Sequence, residues 1–216
     1  MNLITRISYW LANILATKAE RNDKDYIRYG IEISLSVLSK ILFFVIISLF
    51  FDVLLEMMIV AFTFALFRIF SGGVHLSTYY RCLFTSTILF LVPAILLAKL
   101  INLSTIISLV FIYLVLIMGI IIIFLYVPSS ASNRPIPIEK HKSFRLKSYT
   151  FLFTVHIFHS YLITTNYWNL VFYSSSGILL QTFSLTPLGI SFFKFIDRVF
   201  DRSLKIKGGK NGEKSI

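Results

Sequence analysis

Cys82, the one cysteine of the chain, stands seven residues after His75 in the stretch RIFSGGVHLSTYYRC, residues 68–82. A thiol and an imidazole suffice for covalent acyl transfer: the sulfur attacks a carbonyl, and the imidazole takes the proton and returns it. Spacing alone does not join them. On an unbroken helix, residues seven apart share a face but lie ~10.5 Å apart along the axis, beyond hydrogen-bond reach. A catalytic pair therefore requires the backbone to bend, and Gly72 and Gly73 supply a place for it. Ser71, Ser77 and Thr78 add polar groups to that bend, and Arg68 and Arg81 add positive charge beside the sulfur. Irregular backbone at membrane depth is tolerated only where protein buries it or water lines it. The plain readings stay open on spacing alone. A lone cysteine can pack or carry a lipid, His75 can be an interfacial histidine, Arg81 can snorkel to headgroups, and paired glycines can serve close helix packing.

Other polar groups recur at helical spacing. Arg28, Glu32, Ser36 and Lys40 follow every four residues and form one stripe, of the kind that faces a bundle interior or a cavity. Glu32 could orient His75 or hold substrate backbone; equally, it pairs with Arg28 one turn away. His156 and His159 share a helical face, but two imidazoles are too few for a metal site. Packing or interhelical hydrogen bonding suits them better, and neither a metal nor a cofactor is expected.

The elements that must position these groups are apolar. The 216 residues are 56% hydrophobic, 14% charged and include 22 Phe, more apolar surface than a water-soluble domain of this size can hide. Runs near twenty residues point to the bilayer. The expected fold is all-α: a polytopic membrane protein of six transmembrane helices with an N-terminal amphipathic interfacial helix. Its expected parts are residues 1–28 for the interfacial helix, 29–200 for the transmembrane domain and 201–216 for a basic, disordered tail. The spans fall near Ile33–Leu55, Leu54–Phe70, Leu83–Ile101 (with Pro93 as a kink), Thr105–Val127, Tyr149–Thr165 and Gly177–Ile196, with Pro187 inside the last. In residues 1–25, Ile4, Ile7, Leu11, Ile14 and Leu15 make one apolar face beside Trp10. No continuous apolar core or cleavage site of a removable leader is present there, which favours a helix lying in the membrane surface.

Net charge is +11, and of the 21 Lys and Arg residues only Lys40 and Lys99 lie outside alternate connections and the two ends. That bias places both termini and the residue 68–82 stretch at the cytoplasmic face, and fits membrane orientation better than a nucleic-acid groove. Two rival classes remain on composition: a small transporter using the polar stripe and kinked helices, and a non-catalytic membrane scaffold.

On four features, "YGIEI", "FRIFSGGVHLSTYYRC", "YVPSSASNRPIPIEKHK" and the six-span layout, the sequence resembles the accessory gene regulator B proteins, bacterial membrane endopeptidases that process quorum-sensing propeptides. The resemblance implies that Cys82 is the nucleophile and His75 its base, with Arg68, Gly73, Glu32 and Ser77 as supporting or orienting groups. It implies a thioester acyl-enzyme and release of a thiolactone or lactone. Substrate contacts would come from Ser36 and Lys40 and from the basic connection Arg134, Lys140, Lys142, Arg145 and Lys147. The expected partners are a small amphipathic propeptide with an acidic C-terminal region, membrane lipids and a second copy of the chain in a homodimer, with no nucleic acid.

Overall fold

Long runs of Leu, Ile, Phe and Val in an apolar medium leave backbone N–H and C=O groups no water to bond, so each run must close its hydrogen bonds within a helix. The computed structural model describes residues 3–18, 24–74, 76–99, 105–129 and 136–212, and among these it is all-helical, without a β-strand. The helices are α1 (Leu3–Lys18), α2 (Lys24–Phe50), α3 (Leu54–Ser71), α4 (Tyr79–Lys99), α5 (Thr105–Tyr126), α6 (Ile138–Thr164), α7 (Trp168–Leu185) and α8 (Pro187–Gly212). The chain divides into two compact units, Met1–Phe50 and Phe51–Ile216.

In the first unit α1 packs on α2. Its buried positions are Ser8 and Ala12, whereas Ile7, Trp10, Ile14 and Leu15 are exposed. The apolar face seen in the sequence is thus turned away from protein, as a helix resting on lipid requires. α2 starts nine residues before the expected first span, because Arg28 pairs along the helix with Asp25 and Glu32 and so extends it past the apolar run.

The second unit is built around α7. Its run Ser174–Ser175–Ser176–Gly177 presents small side chains, and a Cβ at Gly177 would meet the Val60 carbonyl of α3 at 2.6 Å. Close backbone approach of this kind drives helix association where lipid is as apolar as leucine. Phe67, Val115, Ile123, Val127, Leu152, Ile178 and Leu185 close the core between α3, α5, α6 and α7. His159 meets Ser174 Oγ across α6 and α7 at 2.6 Å, while His156 turns back to the Leu152 carbonyl at 2.8 Å.

Among the described residues, α2, α3, α4 and the Leu109–Tyr126 part of α5 are long and apolar enough to cross a bilayer, or five spans in all if α7 and Pro187–Asp201 are one bent span. The expected count of six is not reached on length and composition. α6 contains the expected fifth span but carries Glu139, Lys140, Lys142, Arg145 and Lys147 in its first ten residues. The expected sixth span, Gly177–Ile196, is not one straight helix: the chain bends by 82° between α7 and α8. The cause is local. Pro187 takes the first position of α8, where its missing N–H costs nothing, and Thr186 Oγ1 caps the helix by accepting from Gly189 N at 3.0 Å. α8 then continues to Gly212, through most of the stretch expected to be a disordered tail.

Candidate active site

α3 stops at Ser71 because Gly72 adopts φ 77° and Gly73 φ 148°, both in the region that favours glycine. Several polar groups at the break find partners from distant elements. Gln181 Nε2, on fully buried Gln181 of α7, donates to Ser71 Oγ at 2.9 Å and to the Gly72 carbonyl at 2.8 Å. Ser129, just past α5, accepts from Gly73 N at 3.0 Å and donates its own N–H to the Ser71 carbonyl at 3.1 Å, a single β-bridge. Arg68, one turn before the end of α3, folds over the bend and donates from Nη2 to the Val74 carbonyl. A side chain at Gly73 would strike that guanidinium, and one at Gly72 the Ser129 carbonyl.

The chain re-enters a helix at Tyr79, so α4 begins earlier than the expected third span and Cys82 sits in its first turn, with its N–H bonded to the Thr78 carbonyl at 3.1 Å. Cys82 is half-buried there. Arg68 is thus held over the bend, and Gly73 is the backbone position over which it lies. His75 itself, like Arg134, lies outside the described residues; Val74 on one side of it is held by Arg68, six residues back, and Ser77 on the other by Asp197 of α8.

Ser77 donates its N–H to Asp197 Oδ2 at 3.1 Å and its hydroxyl to Asp197 Oδ1 at 3.0 Å. Both donors are thus engaged in orienting the segment. Arg81 is buried, and instead of snorkelling it reaches Ser77 Oγ at 2.9 Å, Asp197 Oδ1 at 3.2 Å and Asp201 Oδ1 at 2.5 Å. Beyond Cys82, an apolar groove runs between α4 and α8, lined by Thr85, Leu89, Phe192, Ile196 and Phe200 among others.

In the first unit, Glu32 Oε1 accepts from Thr5 Oγ1 at 3.0 Å and Oε2 pairs with Arg28 Nη1 at 3.4 Å, the one-turn ion pair weighed as its plainer role. Ser36 and Lys40 are half-buried further along α2. Of the basic candidates on α6, Lys140, Lys142 and Lys147 are exposed, whereas Arg145 donates from Nε to the Val127 carbonyl at 2.7 Å and so ties α6 to the end of α5. Gln181, Ser129, Asp197 and Asp201 are the residues that sequence reasoning missed. The available signals were one buried-type amide in an apolar run, and two of only ten acidic residues spaced four apart at the start of the basic C-terminal segment.

Residues 4–185 match the family model for accessory gene regulator B. A protein of Clostridium perfringens (strain SM101 / Type A), named only as AgrB-like, is 30% identical over 217 residues, covering 94% of this chain and 99% of its own length. A second AgrB-like protein, from Clostridium perfringens (strain 13 / Type A), is 27% identical over 218 residues, covering 94% and 100%. No solved structure matches.

Proposed function

The chain belongs to the accessory gene regulator B family, and from that premise we propose that it is a membrane cysteine endopeptidase acting at the cytoplasmic face on a small autoinducer propeptide. The observation that carries this reading is the placement of Cys82 in the first turn of a helix that begins shortly after the bend over which Arg68 folds. The positive end of a helix favours the negative charge that an attacking sulfur carries.

The reaction follows from that arrangement. Cys82 Sγ attacks the carbonyl at the scissile peptide bond while its proton passes to His75. The carbon–nitrogen bond breaks, His75 returns the proton to the leaving amine, and the C-terminal part of the propeptide departs. A thioester to Cys82 remains. A thiol or hydroxyl within the retained peptide then attacks the thioester, giving a cyclic thiolactone or lactone and restoring the free sulfur. Water is the competitor, and a site at the edge of the bilayer would be poor in it. Exposed Lys140, Lys142 and Lys147 suit an acidic region of the substrate, each surface pair contributing about 1 kcal/mol or less.

The test uses full-length protein in liposomes with the co-encoded propeptide and mass measurement of products. Cys82→Ala is expected to yield neither cleaved tail nor cyclic product, and His75→Ala to lose roughly 10²–10⁴-fold in rate. Processing by Cys82→Ala at the wild-type rate would sink the assignment of the nucleophile.

A further inference from the structure

The contacts that hold the Ser77–Cys82 stretch come from α8, beyond residue 185 where the family match ends. One carboxylate, Asp197, takes three donors from that stretch: the Ser77 N–H, the Ser77 hydroxyl and Arg81 Nη1. Arg81 Nη1 also closes the ring by donating to Ser77 Oγ and to the Asp197 carbonyl at 3.3 Å. Ser77 lies two residues after His75 and Arg81 one before Cys82, so a single side chain ties down the flank of each group. The pair is sheltered: the side chains of Arg81 and Asp197 are 9% and 23% exposed. Asp201, at 59%, is far more open to solvent. A charged pair held this way is directional and poorly screened, unlike a surface ion pair.

We propose that Asp197 and Arg81 form a positioning clamp by which α8 fixes the Ser77–Cys82 stretch that carries the sulfur; the inference rests on the endopeptidase reading above and extends it to a helix outside the family match. Asp197 touches no reacting atom. It acts through Ser77 and Arg81, and its contribution lies in geometry, where displacements of about 1 Å can cost on the order of 10²-fold in rate. Asp201 adds a second, exposed hold on the same guanidinium and matters less.

The experiment uses the full-length protein in liposomes, with two readouts: steady-state processing of the propeptide, and the rate at which iodoacetamide alkylates Cys82, the sole thiol. Asp197→Ala is expected to lower kcat about 10- to 100-fold with KM within about threefold, since placement and not substrate binding is lost. Asp201→Ala should cost less than about threefold. The reversed pair Arg81→Asp with Asp197→Arg should recover at least about fivefold over the poorer single variant. Alkylation separates positioning from general support of the fold: Asp197→Ala should slow it in the wild-type background and leave it unchanged when His75→Ala is already present. Equal slowing in both backgrounds, or a wild-type kcat per mole of folded Asp197→Ala protein, overturns the clamp. Should Asp197→Ala fail to accumulate, Asp197→Asn and the reversed pair carry the same two readouts. An active Cys82→Ala protein would strike the endopeptidase reading, whereas inactive Cys82→Ala beside fully active Asp197→Ala would strike only the clamp.

Discussion

Glu32 on α2 and the Gly72–Gly73 bend are both polar islands in apolar surroundings, yet they are satisfied at very different ranges. Glu32 finds Arg28 four residues away and Thr5 on the adjoining helix. The bend is held by Gln181, 109 and 110 residues away from the atoms it bonds, and Ser77 by Asp197, 120 residues away. A polar group satisfied within one or two adjacent helices can be changed with small consequences, because the helix itself persists. One satisfied from several distant helices transmits any change to all of them, since each donor left unmet in an apolar medium carries its full desolvation cost.

Three substitutions probe this contrast. Gly72→Ala should have the largest effect: a left-handed backbone costs a non-glycine residue about 1–3 kcal/mol, and the new Cβ would press on the Ser129 carbonyl for a similar amount again. Thermal melting in detergent should fall together with propeptide processing, and a protein of wild-type stability would mean the bend is not anchored at Ser129. Gln181→Leu comes next. It strips the donors from Ser71 Oγ and the Gly72 carbonyl, for about 1–3 kcal/mol, while keeping the volume in the core. A melting temperature equal to wild type would indicate that Gln181 fills space and does not hold the bend. Glu32→Gln should be nearly silent, below about 1 kcal/mol and within about twofold in processing, because the amide still accepts from Thr5 and the lost ion pair is partly exposed. A tenfold loss of processing would assign its charge to the chemistry and dissolve the contrast.

What was readable from the sequence follows the same division by range. The apolar runs predict α3 and α5 almost to the residue, and the four-residue recurrence of Arg28 and Glu32 predicts their pairing, because both signals live within a few turns of one helix. The Gly-Gly pair likewise marks the bend. The break in the last expected span was equally local: Thr186–Pro187 is a helix start, a cap followed by a first-position proline, and placing Pro187 inside a single span overlooked it. By contrast, no periodicity connects Gln181 to Ser71 or Asp197 to Ser77.

The sequence by itself determined a helical membrane protein, its family, the lone sulfur and the place where the chain must turn. It did so because hydropathy, helix period, glycine and charge bias each act on near neighbours. Only the tertiary structure decided that Arg68 folds over the bend, that Ser129 and Gln181 anchor it, and that a carboxylate of α8 holds Ser77 and Arg81. Those partners are chosen by how helices pack in three dimensions, where small residues on α7 let backbones approach, and sequence distance has no bearing on which side chains then come within reach.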